Sequence, residues 1–283
     1  MLVLSARAED GSRLWLRYET VNKVKVSGID CLAADELKQY YKGPEVMLIV
    51  DASLPEDAYQ ISSENGKTIV RAKEHQGLLY GAYALLRSQK DPSAIRQGIV
   101  EMPFFKYRIL NHWDNLDGSI ERGYAGRSIF WDLDGDQPKA IDARLMKEYA
   151  RANASIGING TVLNNVNASP KMLSAPYIDK VKEIADILRP YGIRVYLSVN
   201  FASPMTIPAK GFNGGKPIKT ADPLNAKVKA WSKAKAKEIY TLIPDFGGFL
   251  VKANSEGQPG PFDYKRTHAD GANTLAEALK PTS

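Results

Sequence analysis

The chain has 283 residues, a formal net charge of +6, a hydrophobic content of 44% and a charged content of 25%. These values are typical of a folded protein of one or two domains, and they exclude wholesale disorder and collagen-like repeats. The single cysteine, Cys31, excludes an internal disulfide and a cysteine-based zinc site, and no apolar run reaches the roughly 18–20 residues of a transmembrane helix.

The first residues allow two interpretations. Ala6, Arg7 and Ala8 have the small-x-small form of a signal-peptidase site, and the apolar residues 2–4 resemble the end of a signal sequence. A complete signal also has a charged start and about 7–15 apolar residues. We treat residues 1–8 as the remnant of a signal peptide, which predicts an exported, periplasmic or extracellular protein. An ordinary first strand and a cytoplasmic location are the alternative.

The first hundred residues predict a small α+β domain. Strand-like patterns occupy 12–18 and 45–51, and 61–72 reads as two short strands separated by Asn65 and Gly66. Asn-Gly between two strand patterns is the strongest short signal for a β-hairpin. Apolar residues at helical spacing follow over 77–89, which predicts a helix that covers the strands.

From residue 104 onward, strand and helix patterns alternate. Predicted strands lie at 106–113, 160–165, 193–200 and 246–254, and predicted helices lie at 139–155, 176–190, 225–240 and after Asp270 and Gly271. This alternation predicts a parallel sheet with helices outside, as in about four units of a (β/α)8 barrel. A doubly wound sheet is the alternative, but it usually carries a glycine-rich phosphate loop after its first strand. Here that position holds HWDNLDG.

The positive charge is concentrated in the predicted helix at 225–240. Its lysines are Lys227, Lys229, Lys233, Lys235 and Lys237, and its apolar stripe is Val228, Trp231, Ala234 and Ile239. The pattern predicts an amphipathic helix with a solvated basic face. Because no zinc-finger spacing or aromatic RNA-binding signature accompanies it, we expect no nucleic-acid partner.

Polar residues that could carry chemistry follow the predicted strands, where sites in β/α barrels lie. Glu256 is prominent because Gly257, Pro259, Gly260 and Pro261 give its loop an irregular backbone. A glutamate in a partly apolar pocket has a raised pKa and can act as a general acid. A solvated loop glutamate is the alternative. Lys252 would bind an acidic substrate group or form a surface ion pair.

The stretch 111–126 is rich in groups that bind carbohydrate. It holds Trp113 and Tyr124, whose rings stack on sugars, beside several carboxylates and carboxamides that can hydrogen-bond to vicinal hydroxyls. A polar loop that merely caps the barrel is the alternative interpretation.

Other chemistries have little support. The histidines, His75, His112 and His268, are scattered without metal-ligand spacing, so no metal is predicted. GFNGGKP at 211–217 has the wrong glycine spacing for a phosphate loop, and Pro217 stands where that loop needs Ser or Thr. No GxSxG motif occurs, so serine hydrolysis is not indicated.

Two long motifs resemble the α-glucuronidases of glycoside hydrolase family 67. They are NHWDNLDGSIERGYAGRSIFW at 111–131 and DFGGFLVKANSEGQPGPFDYKRTHADGAN at 245–273. The resemblance implies a non-catalytic α/β domain at 9–103 and a partial (β/α)8 catalytic barrel at 104–283. It further implies an inverting hydrolase that removes (4-O-methyl)glucuronic acid from glucuronoxylan-derived oligosaccharides. No cofactor and no membrane partner are implied, and a homodimer of the full-length protein is left open.

The resemblance also implies roles for individual residues. Glu256 would be the general acid, and Lys252 would pair with the uronic carboxylate. The residues that would line or support the pocket are Trp113, Asp114, Glu121, Arg122 and Trp131. An inverting glycosidase also needs a second carboxylate about 6.5–9.5 Å from the acid. The family takes it from later barrel strands, so we expect the chain to end before its base and to be inactive in isolation.

Two alternatives to this function stay open. A retaining hexosaminidase-like hydrolase also pairs a small α/β domain with a barrel. That chemistry places an aspartate directly before the acid glutamate, where this chain has Ser255. A non-catalytic carbohydrate-binding protein would bind xylan oligomers without turnover.

Overall fold

A computed structural model describes residues 14–167, 169–254 and 256–280. The chain divides into two compact units: the first runs to Lys106 and includes Glu148–Ile158, and the second comprises Tyr107–Lys147 and the residues from Asn159 onward. Ser255 and the predicted signal-peptide remnant at 1–8 lie outside the described residues. Within the described ranges, no helix has the length and apolar character needed to cross a membrane.

The described part of the first unit builds a five-stranded mixed sheet with two α-helices before residue 100. The strands are β1 (Val26–Gly28), β2 (Val46–Val50), β3 (Tyr59–Glu64), β4 (Lys67–Ala72) and β5 (Val100–Glu101), and the helices are α1 (Leu32–Tyr40) and α2 (His75–Ser88). The strand order is β1-β2-β4-β3-β5. β1, β2 and β4 run parallel, and β3 is antiparallel to β4 and β5.

The predicted hairpin at 61–72 is confirmed. β3 and β4 pair from Tyr59 opposite Ala72 to Glu64 opposite Lys67. The two turn residues have φ values of 51° and 77°, in the left-handed region that a two-residue hairpin turn requires. The strand predicted at 45–51 and the helix predicted at 77–89 are also present, with slightly shifted ends.

The strand predicted at 12–18 is wrong in its described part, since residues 14–18 form no strand. Side chains anchor this segment instead: Trp15 Nε1 donates to Ser155 Oγ at 2.8 Å, and Arg17 Nε donates to Leu14 O at 2.8 Å. Of its apolar residues, Leu16 is buried without a neighbouring strand, whereas Leu14 and Trp15 are about half exposed. The sequence patterns did not predict β1, α1 or β5.

A buried ion pair holds the 148–158 segment in the first unit. Arg151 Nε lies 2.6 Å from Glu36 Oε1, and Arg151 Nη2 lies 2.9 Å from Glu36 Oε2. Each side chain is 11% exposed, and the guanidinium carbon lies 4.6 Å from the centre of the Tyr40 ring. The geometry is the bidentate arrangement that suits arginine and a carboxylate.

The second unit alternates strands and helices. Its strands are β6 (Ile109–Asn111), β7 (Leu133–Asp134), β8 (Gln137–Pro138), β9 (Gly160–Val162), β10 (Arg194–Asn200) and β11 (Gly248–Lys252). Its helices are α4 (Tyr177–Leu188), α5 (Ala226–Leu242) and α6 (His268–Leu279), and α3 (Ala143–Ser155) is divided between the two units. β6, β9, β10 and β11 form a parallel sheet in chain order, while β7 and β8 pair as a short hairpin. The predicted alternation is confirmed.

Helix α6 begins earlier than predicted. Thr267 is its N-cap: the hydroxyl oxygen accepts from the Asp270 amide at 3.1 Å, and the Asp270 carboxylate accepts from the Thr267 amide at 2.8 Å. This reciprocal capping box places Asp270 and Gly271 inside the first turn rather than before the helix.

The sequence predicts a solvated basic face on helix α5, and this prediction is wrong for Lys235. Lys227, Lys233 and Lys237 are exposed, but Lys235 is only 3% exposed. Its Nζ donates to Leu173 O at 3.0 Å and to Glu238 Oε2 at 2.8 Å. Lys235 shares a helix face with the buried Trp231, four residues earlier, and so is carried into the interior.

Candidate functional site

The candidate site lies where β6, β9 and β11 end. Because these strands are parallel, their carboxyl ends meet at one edge of the sheet. The contributing segments are 113–122 after β6, 164–167 after β9, and Lys252 at the end of β11 with 253–254 and Glu256 beyond it. All three belong to the second unit.

The loop after β6 is held by its own backbone and by β9. Asp114 and Ile120 form an isolated antiparallel bridge, and the Glu121 amide donates to Trp113 O at 2.8 Å. Asn115 Nδ2 donates to Glu121 O at 2.8 Å. The Asp114 carbonyl accepts from the Asn165 amide at 2.7 Å, which joins the loop to the end of β9.

Three asparagines connect this loop to β11. Asn165 Nδ2 donates to Asn115 Oδ1 at 2.9 Å, and the Asn167 amide donates to Asn165 Oδ1 at 2.9 Å. Asn167 Oδ1 accepts a hydrogen bond from Lys252 Nζ. The position of the Lys252 ammonium group is therefore tied to the first sequence motif.

Two cations approach the Glu256 carboxylate. Glu256 Oε1 lies 3.5 Å from Lys252 Nζ and 3.7 Å from Arg122 Nη2. Arg122 Nε also lies 3.5 Å from Glu121 Oε1. Glu121 Oε2 is buried and has no hydrogen-bond partner among the described residues. The structure thus brings together four of the predicted site residues, Glu121, Arg122, Lys252 and Glu256.

The surroundings of Glu256 are more polar than expected. Its side chain is 43% exposed, so the predicted partly apolar pocket does not enclose it. It lines an open depression of about 410 Å³, together with Asn254, Gly257, Gln258, Pro259 and Asp263. Glu121 and Glu256 have φ values of 56° and 55°, a left-handed conformation that is uncommon for residues other than glycine.

Asp263 holds the Glu256 loop in shape. Its Oδ2 accepts from Asn254 Nδ2 at 2.7 Å and from the Gly260 amide at 2.8 Å. A Cβ atom at Gly260 would lie 2.3 Å from Asn254 Oδ1, so the close approach of these two residues needs a glycine.

The predicted pocket residues differ in their access to a ligand. Trp113 is 43% exposed, whereas Asp114 is 3% and Trp131 is 1% exposed. Trp131 Nε1 donates to Leu163 O at 2.6 Å, and Lys180 Nζ lies 5.4 Å from the centre of its ring. Of the two roles that the resemblance implies for Trp131, lining or supporting the pocket, this burial favours support.

His112, treated from the sequence as a scattered histidine, lies beside the site. Burial lowers the pKa of His112, and the nearby Asp114 carboxylate, with Oδ1 3.8 Å from Nδ1, opposes that shift. The imidazole packs edge-on against Phe130, with 4.9 Å between the ring centres. In the described ranges, no three His, Cys, Asp or Glu side chains are grouped to hold a metal ion.

Known proteins resemble the chain in sequence. A family model described as the glycosyl hydrolase family 67 middle domain matches residues 87–283. The chain is 45% identical over 228 residues to the probable alpha-glucuronidase A of Aspergillus clavatus, covering 81% of the chain and 26% of that protein. It is 42% identical over 238 residues to alpha-glucuronidase A of Emericella nidulans, covering 81% and 27%. The chain spans about a quarter of the length of these curated relatives.

Solved structures resemble the chain in fold. A GH138 enzyme described as targeting pectin rhamnogalacturonan II has a TM-score of 0.54 at 14% identity, covering 91% of this chain and 33% of that one. A mutant β-hexosaminidase of Streptomyces plicatus has a TM-score of 0.52 at 13% identity, covering 94% and 64%. At such identities the similarity concerns the fold alone.

Proposed function

Because the chain belongs to glycoside hydrolase family 67, we propose that the protein carrying it is an α-glucuronidase. Its proposed substrates are glucuronoxylan-derived oligosaccharides, from which it removes (4-O-methyl)glucuronic acid with inversion. The observation that carries the proposal is the juxtaposition of the Glu256 carboxylate with the Lys252 ammonium at the end of β11. The names of the relatives at 42–45% identity support an α-glucuronidase activity.

Glu256 is the proposed general acid. Its carboxylate lines an open depression, so a glycosidic oxygen can approach it from solvent. General acid catalysis needs a carboxyl group within hydrogen-bond reach of the leaving oxygen. Asp263 is not proposed as the second carboxylate, because Asn254 and Gly260 engage it in holding the loop.

Lys252 is the proposed partner of the uronic carboxylate. Its side chain is 18% exposed, so most of the side chain is held out of water. The attraction between opposite charges strengthens as water is excluded. Arg122, which is 69% exposed, and Trp113, which is 43% exposed, are the further proposed contacts with substrate.

We further propose that the parallel sheet β6-β9-β10-β11 forms the first half of a (β/α)8 barrel. Its strands follow one another in chain order, as they do in such a barrel, whereas a doubly wound sheet reverses direction at a switch point. The first unit is proposed to be non-catalytic, since every candidate site residue belongs to the second.

The role of Glu256 is tested by Glu256→Gln in the protein that carries this chain. We expect hydrolysis of aldotriouronic acid to fall by about 10²–10⁴-fold, because the xylose leaving group needs a proton. Hydrolysis of 4-nitrophenyl α-glucuronide should fall much less, because nitrophenolate leaves without one. Glu277→Gln, an exposed change on α6, is the matched control. Equal losses on both substrates would remove Glu256 from the acid role.

A further inference from the structure

We propose that Asn167 is a positioning residue that makes the site selective for an anionic sugar. It does so by holding the Lys252 ammonium group in place without neutralising its charge. The inference rests on the proposed function, because it concerns how the same site distinguishes a uronate from a neutral sugar.

The contacts of Asn167 fix it between two parts of the site. Its side-chain oxygen accepts from Lys252 Nζ, and its backbone amide donates to Asn165 Oδ1 at 2.9 Å. Asn165 in turn donates to Asn115 Oδ1 at 2.9 Å. Lysine has only donors, so the amide oxygen, and not the amide nitrogen, must face the ammonium group. Asn167 is therefore held in place by the loop after β6 and can orient Lys252.

The charges around Lys252 explain why its contact with the neutral Asn167 side chain matters for binding an anion. Arg122 lies within 4 Å of two carboxylates, Glu121 and Glu256, so its charge is compensated. For Lys252, the described residues supply one carboxylate, Glu256 at 3.5 Å, and one neutral acceptor, Asn167. An aspartate in place of Asn167 would put a second carboxylate beside Lys252, in addition to Glu256. The neutral amide instead leaves the ammonium group able to attract the carboxylate of a substrate.

The test compares the binding of D-glucuronic acid with that of D-glucose. Glucuronic acid carries a carboxylate where glucose carries a hydroxymethyl group, and neither sugar has a glycosidic bond that can be cleaved. Their affinities are measured by calorimetry on the protein that carries this chain and on its Asn167→Asp variant, a nearly isosteric change. We expect Asn167→Asp to weaken glucuronate binding by about tenfold or more, because the new carboxylate competes with the ligand. The affinity for glucose should stay unchanged.

Two further variants complete the design. Asn167→Leu removes the acceptor without adding charge, and it too should weaken glucuronate binding selectively. Asn65→Asp adds the same charge in the β3–β4 turn, where Asp-Gly suits the turn as well as Asn-Gly, and it should bind both sugars as the wild type does.

The contrary outcomes are distinct. Unchanged glucuronate binding in Asn167→Asp would overturn the inference while leaving the proposed function intact. Equal weakening for both sugars would also overturn it, because that result would show a general structural role. A wild-type protein that does not prefer glucuronate over glucose would overturn the proposed function itself.

Discussion

His112 shows how burial couples the site to pH. Burial lowers the pKa of this histidine, and the Asp114 carboxylate opposes that shift. The unfolded chain therefore takes up a proton more readily than the native state does as pH falls through the ordinary histidine range, near 6.5. The stability that neutral, buried His112 contributes is fully present above that range. It is lost as the pH falls toward the lower pKa that His112 has in the native state.

Replacing His112 should remove this pH sensitivity. We expect the melting temperature of the wild type to fall more between pH 7.5 and pH 5.5 than that of His112→Gln. Thermal unfolding followed by circular dichroism at both pH values gives the comparison, in which the other titrating groups cancel. Identical falls in the two proteins would show that His112 does not contribute to acid sensitivity.

The site residues differ in how far the sequence predicts them. Glu256 and Lys252 lie four residues apart in one motif, so a single stretch of sequence indicates both. Asn167 lies 85 residues from Lys252, and only the meeting of parallel strand ends brings the two together. The sequence also does not predict that Trp131 is buried, because an aromatic residue in a polar motif is compatible with either a binding surface or a support.

At the level of helices, α5 contains lysines of two kinds. Lys235 is buried, with its ammonium group bonded to Leu173 O and Glu238, while Lys233 is exposed. Lys235→Ala should lower the free energy of unfolding by about 2–4 kcal/mol, because it removes buried methylenes and leaves polar groups without a partner. Lys233→Ala should change it by no more than about 0.5 kcal/mol.

Urea denaturation of both variants measures this difference, and alanine suits a helix at either position. Equal stabilities of Lys235→Ala and Lys233→Ala would contradict the buried position of Lys235. The sequence pattern missed it because periodicity identifies an apolar face from apolar residues, whereas a long lysine stem can occupy the same face when its end finds acceptors.

Elements with strong local signals were predicted, and those that depend on distant partners were not. The Asn65-Gly66 turn fixed the β3–β4 hairpin, and the alternation after residue 104 predicted the parallel sheet. β1 has only three residues and needs β2 beside it to be a strand. Residues 14–18 have a strand pattern but form no strand. Trp15 instead donates a side-chain hydrogen bond to Ser155, which lies 140 residues away in the sequence.

At the scale of the whole chain, the net charge of +6 favours encounter with an anionic ligand. Long-range attraction raises the rate of encounter, and salt screens it over about 10 Å at 0.1 M ionic strength. We expect the association rate of aldotriouronic acid to fall as salt rises from 0.02 to about 0.3 M. The carboxyl-reduced, neutral oligosaccharide should show no such fall in stopped-flow binding. Equal salt dependence for both ligands would exclude steering by charge.

The Glu36–Arg151 ion pair has a consequence for the order in which the protein folds during synthesis. Each strand of the sheet β6-β9-β10-β11 pairs with one already made, so successive β/α segments can dock as they leave the ribosome. The first unit cannot complete its fold as its own strands emerge, because it includes Arg151. This residue is translated well after Lys106 and after β6 itself. Until Arg151 emerges, Glu36 lacks its partner and would be a buried, uncompensated charge. The nascent amino-terminal unit therefore stays incomplete on the ribosome until α3 has been made.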